Sequence, residues 1–430
     1  MIDLFHELIE KIFDENISLV QLREKNIDIE NIFSGNYDYY IPPAQLNQCL
    51  EIMFNLLSQK CINFSINKMK FGKTKVIIYA KNNINQYIHL ELWNHLEVKD
   101  SLGQASKYIF EDTLNTIIYK DKNAYKLSLK VEALYYLSYL HTKSKNLDSP
   151  EVIYQVEYYK AKSRDLKEVH DLYLELLSTH NISKTSHKAN MILIDLNILE
   201  KESLIDSKVL SVTLKKVLVK TNSKILKCIK IVPVVGPDGV GKTSLIEDMI
   251  LNIGQKVQYY RFKRLFRKSF IYHILYRYLT KKSSKKVDKN SYDDEHGVFI
   301  IFISLMRYPM LMLNILFSLK IIFSDRYFHD YILKNTRAED ERIVLRKKWK
   351  FLLKMIPNLY WFIQLDAPSD IILARKQEMS KNDIEMYRKL MFKLYLNKPS
   401  MVYTYINTKN DLNECTNILK QEAKNNGLLK

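Results

Sequence analysis

The chain has 430 residues, of which 47% are hydrophobic, and it holds only nine Gly and nine Pro. That composition fits well-filled globular domains, two or three at this length, and excludes a Gly/Ser- or Pro-rich linker. Lys and Arg number 66 against 48 Asp and Glu, and the excess is local: residues 226–430 carry 37 against 20, while residues 1–225 carry 29 against 28. A basic field confined to one half attracts anions such as nucleotides, phosphorylated compounds or acidic lipid. The four cysteines fit no zinc spacing, and the opening "MIDLFHELIEKIF" is acidic and amphipathic, unlike a signal peptide. A reducing cytoplasm is therefore expected.

In chain order, residues 1–15 read as an amphipathic helix and residues 34–57 as turn, strand and helix. Residues 74–81 and 86–98 read as strands, and 124–143 and 151–177 as helices. A Gly-containing turn followed by D-x-D on a strand, with a further carboxylate on a later strand, is the nucleotidyltransferase pattern, in which alternate strand residues face the same way and bind two metal ions. The segment Asn36-x-Asp38, with Glu91, resembles it over about residues 15–180. Asn36 stands where an acid belongs, so the resemblance implies the fold without the transferase activity. The histidines of this half show no ligand spacing. The expected boundaries are a module over 1–202, a lysine-rich helical connector over 203–225 and a second domain over 226–430.

The second half opens with an apolar strand (228–235) and then "GPDGVGKT", which fits G-x-x-x-x-G-K-[ST] in full from Gly236 to Thr243. An amphipathic helix (242–253) follows. Strand, glycine-rich loop and helix N-terminus together wrap a phosphate in backbone N–H groups. Gly236, Gly239, Val240, Gly241, Lys242, Thr243 and Ser244 are the expected nucleotide-binding positions. Lys242 would reach the β- and γ-phosphates and the Thr243 hydroxyl would bind Mg²⁺. Further strands are expected at 256–263, up to Asp325 within 319–331, at 359–368 and at 401–407. Helical patterns separate them at 296–318, 338–355, 369–396 and 411–425, which implies a parallel sheet with helices on both faces. The apolar run 298–323 is interrupted by Arg307, Pro309, Asn314 and Lys320. A central charge costs a spanning helix roughly 2.5–3.5 kcal/mol, so the run reads as one or two buried helices.

"GPDGVGKT", "SDRYFHDY" and "LDAPSDIILARKQEMSKNDIEMYRKL" resemble, in order, three motifs of the thymidylate kinases over about residues 228–425. The resemblance implies that Asp238 faces the acceptor's sugar hydroxyl and that Asp325 sits near Mg²⁺ and the reacting oxygens. It implies that Arg326 holds the acceptor phosphate and that Arg375 or Lys376, in a basic lid with Arg388, stabilises the transferring phosphoryl group. Cationic positioning of this kind suffices for phosphoryl transfer. Arg307 matches the family's acceptor-binding arginine. The family's Arg-Glu-Pro segment is replaced by "RFKRLFRKSF", and no residues that would read a thymine base are recognisable. Kinase-like domains of this divergent type also resemble proteins of bacterial surface-polysaccharide clusters.

The expected architecture is α/β: a C-terminal P-loop kinase domain with a parallel sheet flanked by helices, preceded by an α+β nucleotidyltransferase-like domain with added helices. The expected activity is ATP- and Mg²⁺-dependent phosphotransfer to an anionic or glycan-type acceptor other than dTMP. Lys242, Asp325, Arg326 and Arg375 are its catalytic residues, and Thr243 and Asp325 hold the metal. Asp238, Arg264, Arg267, Arg307 and Arg326 bind the acceptor. The basic-aromatic stretch 259–289 has a composition that suits nucleic acid, anionic glycans or a phospholipid surface; Arg261 to Arg267 are expected to bind anions near the acceptor side of the sheet, and 281–289 reads as a lysine-rich surface loop. Association with an acidic membrane surface is a second expected partner, with nucleic acid disfavoured. A nucleotide kinase acting on dTMP, and an NTP-binding regulator or polyanion binder, are the alternative readings.

Overall fold

The computed structural model describes residues 1–22, 36–70, 72–81, 83–99, 105–108, 118–121, 124–201, 217, 220–221, 231–253, 257–282, 297–318, 320–335, 351, 353–397 and 400–429. The connector expected at 203–225 and the helix expected at 338–355 lie largely outside them. The chain divides into two compact units. One comprises Met1–Ile52, Lys70–Val76 and Ile88–Val219, and the other Met53–Met69, Ile77–Tyr87 and Lys220–Lys430.

In the first unit the helix Ile2–Asp14 buries one face, with Leu4, Phe5, Leu8, Ile9 and Ile12 spaced three and four apart. The strand Asn36–Tyr40 runs parallel to His89–Trp93 and antiparallel to Val20–Gln21, which pairs with Ala124–Leu127. Residues 124–143, expected as one helix, divide into that strand and the helix Leu129–Thr142, the change falling at Ser128, which occupies the N-cap position. Residues 151–177 form two helices, Pro150–Lys162 and Lys167–Thr179. With Ile182–Asp195 these helices close a core around Leu134, Tyr159, Tyr173 and Leu193.

In the second unit five strands run parallel in the order Val257–Arg261, Ile321–Asp325, Ile231–Val235, Trp361–Asp366 and Val402–Asn407. The three inner strands and Val402–Asn407 are buried at every position, which is why they read as continuous apolar runs rather than alternating ones. The glycine-rich sequence Gly236–Thr243 follows the central strand, so its loop emerges where the strand order reverses. Residues 369–396 form two helices, Ser369–Arg375 and Lys381–Asn397. The break is set by Ser380, whose side chain exchanges hydrogen bonds with Asp383 as a helix cap. The run 298–323 contributes one helix, Gly297–Ser318, which includes Pro309, and then the strand Ile321–Asp325.

Residues from the N-terminal half complete this second unit. Phe64 to Asn67 pair antiparallel with Tyr405 to Val402, covering what would otherwise be a bare sheet edge. Ser65 Oγ donates to Glu422 Oε1 at 2.9 Å, and the Tyr79 hydroxyl donates to the same oxygen. Phe54 stacks on Phe392 with centroids 4.1 Å apart. The boundary expected from sequence, with everything before residue 203 in a separate module, therefore differs from the observed packing. A fragment beginning at residue 220 should melt about 10 °C or more below the intact second unit or aggregate, because it exposes the Val402–Asn407 edge and the Glu422 carboxylate. Thermal melts of that fragment and of the full chain measure this.

Candidate functional site

The loop Gly236–Thr243 is shaped by its glycines. Gly236 has φ of 155°, and a Cβ there would lie 2.6 Å from the Leu365 carbonyl oxygen. Gly239 has φ of 90°, and its Cβ would meet the Lys376 side chain at 2.9 Å. Only glycine fits such positions without strain. Lys242 begins the helix Lys242–Ile253, and its side chain turns back beneath the loop, donating to Gly236 O at 2.8 Å and Pro237 O at 2.9 Å. It is only 7% exposed. Burial lowers its pKa, and the nearby Asp238 carboxylate opposes that shift.

Asp325 and Arg326 end the neighbouring strand at the same edge of the sheet. Arg326 has a left-handed backbone, φ 71°, held by its N–H to Val234 O at 3.1 Å. A non-glycine residue in that region stores strain of about 1 kcal/mol, and such strain clusters at functional sites. The turn aims the guanidinium at Asp238, which it meets at 2.5 and 2.6 Å. Asp238 and Arg326, each expected to hold a part of the acceptor, are paired with one another in this structure. Burial works against the Arg326 charge, but Asp330 and Asp238 outweigh it and keep the guanidinium protonated. Asp325 accepts a hydrogen bond from the Tyr259 hydroxyl at 2.9 Å and faces Arg261 at 3.8 Å. Burial, then the Asp325 charge, push the Tyr259 pKa up to about 12.

Three groups converge on one cleft of about 940 Å³. From one side come Asp238 to Ser244, from another Asp325, Arg326, Arg261 and Lys263, and from a third Arg375, Lys376 and Thr408. Thr408 secures the third side, donating to Val240 O at 2.7 Å while Arg375 contacts it at 3.4 Å. Thr243 and Ser244 are exposed to the cleft, whereas Val240 is fully buried and contributes backbone only.

Several expected positions fall elsewhere. Arg264 is exposed and Arg267 half-buried, and neither lines this cleft; Arg261 and Lys263 do. Arg264 and Arg267 belong to the short helix Lys263–Arg267, of which only the first residue reaches the cleft lining. Arg307 is also outside the cleft lining, and its Nη1 is buried with no hydrogen-bond partner among the described residues. Arg388, expected in a basic lid, is bonded to Asp366 and to Ala367 O at 3.1 Å.

Sequence reasoning missed Tyr387 and Asp330. The Tyr387 hydroxyl donates to Asp330 Oδ1 at 2.6 Å and accepts the Gly236 N–H at 3.1 Å, so it ties the helix Lys381–Asn397 to the start of the loop. Burial raises the Asp330 pKa, opposed by Arg326, Tyr387 and Lys242. Asp330 belongs to the quoted "SDRYFHDY", but no local pattern separates it from a surface acid.

In the first unit, Asp38 and Glu91 are register partners on parallel strands. Lys73 forms an ion pair with Glu91 and lies 4.7 Å over the Trp93 ring. Asn36 Nδ2 donates to Glu91 Oε1 at 2.9 Å. Burial, and then Asp38, raise the Glu91 pKa against the pull of Lys73. An ammonium thus meets the carboxylate that a metal would need. Among the described residues no group of three or more His, Cys, Asp or Glu is placed to hold a metal ion. No described helix is long and apolar enough to cross a membrane.

Arg388→Ala should destabilise the second unit by about 3 kcal/mol, because it leaves Asp366, 2% exposed, as a buried unpaired carboxylate. Denaturant titration of the variant checks this, with Arg388→Lys expected to recover part of the loss.

No family model matches the chain, and no curated protein matches it. Among solved structures, a thymidylate kinase from Candida albicans is similar at 17% identity and a TM-score of 0.32, covering 46% of this chain and 92% of that one.

Proposed function

We propose that the second unit is an ATP-dependent phosphotransferase acting on an anionic or glycan-type hydroxyl compound, and that dTMP is not its acceptor. The observation that carries this reading is the cleft where the phosphate-binding loop, Asp325-Arg326 and Arg375-Lys376 meet. The donor fits the residues present: Gly236 and Gly239 let the loop pack close against Leu365 and Lys376 where a Cβ would clash, and the loop ends at a helix N-terminus that offers backbone N–H groups to a phosphate. Thr243 and Asp325 would hold a magnesium ion, which would neutralise charge on the phosphate oxygens.

The chain's own residues supply positioning and positive charge. Lys242, already desolvated, exchanges the carbonyls of Gly236 and Pro237 for donor phosphate oxygens. Arg375 and Lys376, on the opposite wall, offer charge to the transferring group. Arg326 offers its guanidinium to the acceptor once Asp238 turns to an acceptor hydroxyl. The acceptor side of the cleft presents Arg261 and Lys263, which attract negative charge without reading a base edge; discrimination of a pyrimidine needs fixed hydrogen-bond partners. The first unit serves as a binding or scaffolding module without nucleotidyl transfer, since Lys73 neutralises Glu91 and Asn36 replaces an acid.

An ATP-consumption screen across nucleoside monophosphates, sugar phosphates and surface glycans tests the acceptor class. Turnover of dTMP at the rate of ordinary nucleotide kinases would sink the acceptor assignment. Lys242→Ala should abolish turnover with every acceptor, and retained activity would remove the loop from the mechanism. Arg261→Ala with Lys263→Ala should raise the acceptor KM about tenfold and weaken its salt dependence while leaving the ATP KM little changed. Arg264→Ala with Arg267→Ala should have the smaller effect, because those side chains lie outside the cleft.

A further inference from the structure

Two neighbouring helices of the second unit turn apolar side chains outward. On Phe270–Lys282, Phe270, Ile274 and Tyr278 recur every four residues and are exposed, Phe270 at 78%. On Gly297–Ser318, Phe302, Met306, Met310 and Leu313 follow one stripe and are each more than half exposed. Residues spaced four, four and three apart on a helix lie one above another on a single face. Such a face ordinarily packs on a core, and apolar patches of this extent on a globular surface mark an interaction site.

The charge around the patch selects the partner. Residues 264–282, which lead into and form the first of the two helices, contain six Lys and Arg and no Asp or Glu. Lys268 and Arg277 are exposed beside the apolar row of the first helix. Residues 297–318 carry Arg307 as their sole charge. A second copy docked face to face would oppose like charges. An anionic bilayer presents both things that the surface lacks: a negative headgroup layer and, beneath it, an apolar one. Basic and aromatic side chains beside an exposed apolar row are the composition of helices that lie in the plane of a membrane interface. No described helix is long and apolar enough to span the bilayer, which agrees with surface attachment.

We propose that this two-helix face docks the protein on an anionic phospholipid surface, with Phe270, Ile274, Met306 and Met310 entering the headgroup boundary and Lys268 and Arg277 meeting the lipid charge. Docking does not depend on phosphotransfer, so it can be tested whatever the acceptor proves to be.

The test is co-sedimentation of the full chain with vesicles of phosphatidylcholine alone and with vesicles of phosphatidylcholine and phosphatidylserine in a roughly 70:30 mixture. At low salt the partition coefficient should be about tenfold or more higher on the anionic vesicles, and it should fall steeply as salt rises. Phe270→Ser with Ile274→Ser, and separately Met306→Ser with Met310→Ser, should each lower it about tenfold. Lys268→Glu with Arg277→Glu should remove the preference for the anionic vesicles. Each variant's thermal melt is read beside its partition, and these exposed positions should leave the melt unchanged. Equal binding to both vesicles, no binding to either, or binding indifferent to the apolar variants overturns the proposal. So does a vesicle-free dimer in sedimentation velocity that the apolar variants dissociate, since the face would then be covered by a second copy.

Discussion

Two buried cations, Lys242 and Arg326, are held at the carboxyl end of the second unit's sheet by Asp238 and Asp330, and the geometry of the site follows from that charge balance. Neither cation could be buried alone, because desolvating an isolated charge costs several kcal/mol. Asp238 contacts both. Asp330 adds its charge from below, and Tyr387 relays it to the Gly236 N–H. The strained backbone of Arg326 is the local cost of bringing its guanidinium to this point. The loop is thereby preorganised, its first glycine held by Tyr387 and its Asp238 by Arg326, side chains from two other segments of the unit.

The same unit has a second buried carboxylate with a different task. Glu422 gathers Ser65, Tyr79 and Asn426 through hydrogen bonds and carries no cation among these partners. It joins the helix Leu412–Asn425 to strands supplied by the N-terminal half. Part of the sequence that precedes the glycine-rich loop therefore belongs to the same unit: the sheet that carries the loop uses residues 64–67 to cover its Val402–Asn407 edge. In the first unit, the pairing of Lys73 with Glu91 shows how a carboxylate pair of metal-binding appearance is neutralised by a side chain of its own fold. Asn36 contributes a hydrogen bond where an acid would have added charge.

The amino-acid sequence by itself determined the glycine-rich loop, the parallel strands, the Asp325-Arg326 strand end and the basic bias of the second half. These are local properties. A glycine loop between strand and helix, a run of buried β-branched residues, or a strand ending in Asp-Arg is written in adjacent residues, and each arises at the expected place. Only the tertiary structure decided which cations reach the cleft. Arg261, at the end of the strand Val257–Arg261, and Lys263, at the start of the short helix Lys263–Arg267, line it, whereas Arg264 and Arg267 further along that helix do not. It likewise decided that Arg388 is bound to Asp366, that Asp238 and Arg326 engage each other, that Tyr387 and Asp330 belong to the site, and that Phe64–Asn67 enters the second sheet. These depend on strand register and on burial between residues far apart in the chain, and charge or hydrophobicity read along a segment carries no information about which distant partner will neutralise or cover it.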